Sequence, residues 1–424
     1  MSNLSCFFNP HSFSSLVQSF SVTNSSYFLF RDGATIDPGN SLKDRSFNKL
    51  TVFGDSLSDL GNLSTATASF GITFPPSPFA QTGSIKQFTG YFGNVIQAAG
   101  RLTNGDLWVD YFAPRVGLQQ KVEDFAVIGS TSGRDNVVRG TAAELGIALP
   151  EDLLLPGVLD QIDQAFKPDI PDQKADSNAL YVVWGGATDF LALLPNLSPA
   201  STVNAIVDGV ANVAQAVTTL ANRGAKTIVV PNLPNLGLTP FADRQNSAKA
   251  DLVGIATVFS VGFNLLLQPT LATLEQQLKQ VDSKVDVVQI DAFSLSQDIA
   301  RNPEQFGFKN STETLFSKLQ LDPPDPLLNP DEFVFADPFH PTTRTHEVFA
   351  DLFEQSLSYP VASRVLETSV SAINDLIRTG RGQSVINDLL KIAQSSIVGQ
   401  SSLFPQVLEP LLRSNLAVAY SQTV

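Results

Sequence analysis

The sequence predicts an α/β layered fold, with a parallel sheet packed between helices. Short β-rich apolar runs recur along the chain: Leu50-Thr51-Val52-Phe53, Phe125-Ala126-Val127-Ile128, Leu180-Tyr181-Val182-Val183-Trp184, Thr227-Ile228-Val229-Val230 and Val285-Asp286-Val287-Val288-Gln289-Ile290. They are near-continuously apolar rather than alternating, which is the pattern of strands buried on both faces of a parallel sheet. Helical periodicity lies between them, and strands alternating with helices imply right-handed crossovers.

Taken in order, residues 1–47 carry no charged side chain before Arg31. A secretory signal has a basic start and a compact apolar stretch, whereas Asn3, Ser5, Asn9, Ser12, Ser14 and Ser15 interrupt the apolar residues here. The segment reads as an extension, poorly ordered or lying on the surface, with an unusual export signal as the alternative. Without a clear signal peptide, the cytoplasm is favoured over export. The main domain spans 48–360. Within it Val203, Ile206, Val207, Val210, Val213, Ala214, Val217, Leu220 and Ala221 mark a helix with a period near 3.6, and Gly224 follows as its cap. Leu252–Leu274 is uncharged and long enough to span a bilayer. It also carries Ser260, Asn264, Gln268 and Pro269, so it reads as a buried core helix kinked at Pro269, and no transmembrane segment is expected. Residues 361–424 form a helical tail. Val365, Val370, Ile373, Leu376 and Ile377 mark one helix, and Val385, Ile386, Leu389, Leu390 and Ile392 mark a second. The tail either docks a partner or membrane surface, or packs back on the domain; the latter is the favoured reading.

Composition excludes several classes. The chain has 424 residues, 43% of them hydrophobic and 16% charged, so it holds a sizeable core and is not a disordered chain. A net charge of −14 repels phosphate backbones and argues against nucleic acid as a partner. A single cysteine, Cys6, leaves no internal disulfide and no multi-cysteine metal site. The histidines are His11, His340 and His346. A catalytic histidine must be one of these three.

Active sites of open α/β sheets sit beyond the carboxyl ends of the strands. After the first run comes Gly54-Asp55-Ser56-Leu57-Ser58-Asp59-Leu60-Gly61-Asn62. A serine at a strand-to-helix turn presents its hydroxyl outward, with its own N–H near a helix N-terminus, and so is a candidate nucleophile. The alternative is an ordinary turn in which Ser56 is a helix N-cap. Near the far end stands Asp337-Pro338-Phe339-His340-Pro341. A neutral imidazole is the natural base for a serine hydroxyl, and it needs a carboxylate to fix its tautomer and stabilise its cation. Asp337 and His340, three apart on a tight turn, satisfy both needs. His346 sits early in the next helix and reads as structural.

These residues together resemble the GDSL branch of the SGNH hydrolases, which are lipases and esterases. Val52–Asp59 resembles the first block of that family, with Ser56 as nucleophile. Gly100-Arg101-Leu102-Thr103-Asn104-Gly105, with Trp108-Val109-Asp110, resembles the second, in which Gly105 lends a backbone N–H to the oxyanion hole. Asp337–Pro341 resembles the last, giving Asp337 as orienter and His340 as base. The likeness covers residues 48–358. It implies a three-layer α/β/α sandwich with about five parallel strands, the flavodoxin-like SGNH fold, plus the two extensions. It also implies a carboxylic ester hydrolase that works through an acyl-enzyme, with no metal or organic cofactor and a small-molecule or lipid ester as partner.

The chain departs from the family in two places. The third family block reads Gly-x-Asn-Asp, its asparagine being the third oxyanion donor. This chain has Gly185-Gly186-Ala187-Thr188-Asp189. Thr188 offers one hydroxyl proton on a shorter side chain, and loss of an oxyanion donor costs on the order of 10²–10³ in turnover. The second departure is a longer segment before Gly100. It carries Phe88, Tyr91 and Phe92, which form either an apolar rim for an acyl or aryl group or a surface flap. The competing readings are an acyltransferase or carbohydrate deacetylase on the same triad, and a non-catalytic binding or assembly protein on a retired hydrolase fold. The sequence carries no signal for oligomeric state.

Overall fold

The computed structural model describes residues 45–72, 100–144, 148–167, 170, 173–244, 251–319, 327–358, 364–379 and 381. In chain order its elements are β1 (Lys49–Gly54), α1 (Asn62–Ala68), α2 (Trp108–Arg115), β2 (Val122–Asp124), α3 (Val138–Glu144), α4 (Val158–Ala165), β3 (Ala179–Trp184), α5 (Ala187–Leu193) and α6 (Pro199–Arg223). There follow β4 (Thr227–Pro231), α7 (Pro240–Arg244), α8 (Leu252–Val281), β5 (Asp286–Ile290), α9 (Ala292–Arg301), β6 (Asn310–Thr314), α10 (Leu315–Leu319), β7 (Phe333–Phe335), α11 (Thr343–Ser358) and α12 (Val365–Arg378).

The main sheet has five strands in the order β2-β1-β3-β4-β5, and all of its pairs are parallel. β3 and β4 are buried along their whole length, as continuous Val/Ile/Leu runs require. Side chains alternate across the sheet. Phe53, Tyr181, Val183, Ile228 and Val230 face one layer, where they join the core of α4, α6 and α8. Trp184 faces the other layer and packs edge-on against Trp108 of α2 and Phe349 of α11. This gives the expected three-layer α/β/α sandwich.

One expected strand is displaced. Phe125–Ile128 was the apolar run, yet the paired strand is the polar Val122-Glu123-Asp124 just before it. β2 is an edge strand and needs only one buried face. Phe125 N and Val127 N still donate to Val52 O and Gly54 O at 2.9 and 3.2 Å. The Asp124 carboxylate then takes Ala126 N at 3.0 Å and Leu60 N at 2.8 Å, turning the chain under the sheet edge.

The long helices follow their sequence signals. Ser198 caps α6 through Ser201 N at 3.1 Å. Gly224 ends it at φ 114, a left-handed conformation that glycine adopts without strain. α8 runs through Pro269 for 30 residues. It is long and apolar enough to cross a membrane, but 78% of its most apolar window is buried in the protein. The first tail helix is α12, whose Val365, Ala372, Ile373 and Leu376 enter the main core. The second tail helix and the domain end near Tyr359-Pro360 lie outside the described residues. Because the sheet is parallel, the residues after β1, β3, β4 and β5 emerge on one edge, and the candidate site lies there.

Candidate active site

Gly54 closes β1. A side chain there would meet Trp184 O at 2.7 Å, so only glycine lets the two strands stay this close. Gln161, fully buried, brackets the same residue: its Oε1 accepts Gly54 N at 2.9 Å and its Nε2 donates to Gly54 O at 2.8 Å. The chain then turns sharply, with Ser58 N and Asp59 N both donating to Asp55 O. Ser56 stands inside this turn. The helix that follows begins only at Asn62, so the N–H of Ser56 is six residues from a helix start rather than at one. Capping falls to Asp59, whose buried carboxylate accepts Gly61 N, Asn62 N and Leu63 N, and Ile128 N from the β2 loop at 2.8 Å. Ser56 has no capping role. Its hydroxyl is bonded elsewhere.

The partner is His340. β7 leads into the Asp337–Pro341 turn, which is closed by Ala336 N donating to His340 O at 2.8 Å. Asp337 is fully buried. Its Oδ1 accepts the N–H groups of Phe339 and His340, both at 2.7 Å. That leaves Oδ2 for His340 Nδ1, also at 2.7 Å. With Nδ1–H held by a carboxylate, Nε2 carries the lone pair, and it lies 2.9 Å from Ser56 Oγ. His346 plays no part in this chain. It is buried in α11 with no partner for either ring nitrogen among the described residues, and burial pushes it down to about 3.

The loop of the second family block is pinned to the histidine turn. Thr103 Oγ1 donates to Pro341 O at 3.0 Å, and Thr343 N donates to Asn104 Oδ1 at 2.8 Å. Trp108 Nε1 donates to Ser58 Oγ at 3.1 Å, tying α2 to the nucleophile turn. Gly105 rests against Thr343, where a side chain would come within 2.9 Å of its Oγ1. Among the described residues, the N–H groups of Ser56 and Gly105 have no hydrogen-bond partner. Gly105 is not one of the cavity-lining residues, whereas Thr188 is.

Thr188, at the start of α5, faces Asp55: its Oγ1 is 3.5 Å from Asp55 Oδ2. Asp55 is a site residue that sequence reasoning passed over. It lines the cavity wall beside Ser56, and burial raises it to about 6, opposed by the Leu57 N–H and the nearby His340. Asp189, next to Thr188, binds the N–H and hydroxyl of Ser132 at 2.8 and 2.7 Å, and burial raises it as well, to about 6.

Ser56 and His340 line a cavity of about 270 Å³ with mainly apolar walls, among them Leu57, Phe190, Leu236, Phe241, Phe339 and Phe349. The rim residues Phe88, Tyr91 and Phe92 lie outside the described residues. Among the described residues no cluster of histidine, cysteine or acidic side chains is arranged to hold a metal.

Residues 50–353 match the profile of the GDSL-like lipase/acylhydrolase family. The chain belongs to this family. A GDSL esterase/lipase of Arabidopsis thaliana is 25% identical over 344 residues, covering 73% of this chain and 87% of the relative. A second from the same organism is 26% identical, covering 73% and 89%. A solved structure, a catalytic mutant of an acetylxylan esterase from Geobacillus stearothermophilus, overlaps 75% of this chain and 97% of its own at 13% identity, with a TM-score of 0.30.

Proposed function

We propose that Ser56, His340 and Asp337 hydrolyse a carboxylic ester through an acyl-enzyme. As a GDSL-type lipase/acylhydrolase the chain is a hydrolase of ester bonds on a small-molecule substrate. The observation that carries the residue assignment is the unbroken hydrogen-bonded chain from Ser56 Oγ through His340 to Asp337.

Ser56 Oγ bonds to the ester carbonyl carbon as its proton passes to His340 Nε2. Asp337 holds the imidazole in the receptive tautomer and stabilises the imidazolium. The carbon–oxygen bond to the alcohol breaks, and the alcohol oxygen takes the proton from Nε2. A water then repeats the sequence on the acyl-enzyme and releases the acid. The unpaired N–H groups of Ser56 and Gly105 are the proposed oxyanion donors. Thr188 holds the third donor position, with its one proton drawn towards Asp55. The mainly apolar cavity supports an ester with an apolar acyl or aryl group.

The test is a panel of p-nitrophenyl esters run beside a fluorophosphonate label. The expected result is labelling at Ser56 together with turnover. Labelling without hydrolysis points to acyl transfer. A folded protein that takes no label and turns over no ester overturns the proposal and returns the chain to a binding role.

A further inference from the structure

We infer that the alcohol half of the ester is an apolar or aryl group, recognised by the stacked rings of Phe241 and Phe339. The inference rests on the ester-hydrolase reading and extends it from the bond that is cut to the group that leaves.

The direction of the proton fixes where the alcohol sits. When the tetrahedral intermediate collapses, the bond to the alcohol breaks with its electron pair on oxygen, and the proton on Nε2 neutralises it. That oxygen must therefore come within hydrogen-bond reach of His340 Nε2. The carbon group it carries begins beside the imidazole. Phe339 is the residue before His340, and its ring centre is 6.2 Å from the imidazole. Phe241 of α7 stacks on Phe339 with centroids 4.1 Å apart and planes at 30°. Both rings line the cavity. Backbone bonds to the histidine turn also fix both residues: Phe241 N donates to Pro338 O at 2.9 Å, and Phe339 N donates to Asp337 Oδ1. The aromatic wall is thus built onto the same turn as the base.

Apart from Ser56, Thr188 and the β6 hydroxyls of Ser311 and Thr312, the polar side chains of the cavity have little to offer a polyol, a sugar or a phosphate. The ionisable groups on its wall are Asp55 and His340, with no lysine or arginine among the lining residues. The hydroxyls of Thr239, Ser296 and Thr345 donate to the carbonyls of Leu236, Phe293 and Val334, each at 2.7 Å. Asn235 accepts Gly237 N and donates to Gln297. A sugar hydroxyl buried against the faces of Phe241 and Phe339 would lose its water bonds without gaining one from the rings, and an unpaired buried polar group is costly. An aryl or alkyl group loses nothing there and gains ring contact.

The test holds the acid constant and varies the alcohol among primary alcohols of similar basicity: benzyl acetate, glyceryl monoacetate and a 5-O-acetyl xyloside. Ser56→Ala supplies the background. The expected result is a kcat/KM for benzyl acetate at least about tenfold above the other two. Phe241→Ala should shrink that preference by about tenfold. Phe241→Leu, which keeps the wall apolar if alanine weakens the fold, should shrink it by less. Preference for the glyceryl or xylosyl ester, or an unchanged preference in both variants with turnover retained, overturns the inference and leaves the hydrolase reading standing. If the wild type matches Ser56→Ala on every ester, the hydrolase reading fails and this inference falls with it.

Discussion

Thr188 Oγ1 lies 3.5 Å from Asp55 Oδ2, so the hydroxyl at the family's asparagine position faces a buried carboxylate. A hydroxyl has one proton to give, and an amide has two. Thr188→Asn can therefore bond Asp55 with one N–H and turn the other towards the developing oxyanion. It should raise kcat by about tenfold, or ~1.4 kcal/mol of barrier, with KM little changed. Thr188→Val should leave kcat within about threefold, because the proton it removes is already engaged. A fall in kcat for the asparagine variant on an aryl ester would count against this account of the position.

Ser56 and His340 should be indispensable, and His346 should not. Ser56→Ala and His340→Ala should each lower kcat by on the order of 10⁴ or more. His346→Leu should retain most of the activity, because His346 is bonded to neither Ser56 nor Asp337. Comparable losses in all three variants, with folded protein confirmed by circular dichroism, would overturn the assignment.

His346 should make the fold acid-sensitive. Its pKa is about 3 when buried and near 6.5 in the unfolded chain. Between those values the unfolded state binds the extra proton, so stability falls as pH drops from 6.5 towards 3. The loss reaches about 2 kcal/mol at pH 5. His346→Leu removes the titration, and its denaturant midpoint should fall less than that of the wild type between pH 7 and pH 5.

Asp55 should act with the opposite sign. Its folded pKa of about 6 exceeds the unfolded value of 3.8. The folded state holds the proton longer, so this residue costs stability as pH rises from about 4 to 6. Asp55→Asn should therefore melt above the wild type at pH 8, by up to about 3 kcal/mol, and close to it at pH 4. Equal differences at both pH values would mean that the carboxyl does not titrate in this range.

Gln161 should be costly to replace. Gln161→Leu leaves Gly54 N buried without its partner, leaves Gly54 O with the Val127 N–H alone, and removes a bond to Ser130 Oγ at 2.9 Å. A loss of about 2–4 kcal/mol is expected, read as a lower denaturant midpoint. Because Gly54 leads into the Ser56 turn, kcat should fall as well.

The parts of the site that lie close together in sequence could be read from it. Asp337 and His340 are three residues apart on one turn, so their chemistry is visible locally. The buried strands announce themselves because their runs are near-continuously apolar. What could not be read depends on the partner across space. Val122–Asp124 forms a strand because β1 offers it a ladder, while the apolar Phe125–Ile128 turns beneath the sheet edge. Asp55 is one letter of a motif until Thr188 arrives beside it from the end of β3. Gln161 gives no sign of importance until α4 sets its amide against Gly54.

The hydrogen bond between Ser56 and His340 joins positions 284 residues apart in the chain. All five strands of the main sheet are complete by Ile290. During synthesis the ribosome can thus release the whole sheet while Asp337 and His340 are still inside the exit tunnel. With the proposed triad, the nascent chain should be inert towards esters until the last turn docks on the first. Closing so long a loop is also a slow step. The appearance of esterase activity should therefore lag behind the recovery of secondary structure when the unfolded protein is returned to native buffer.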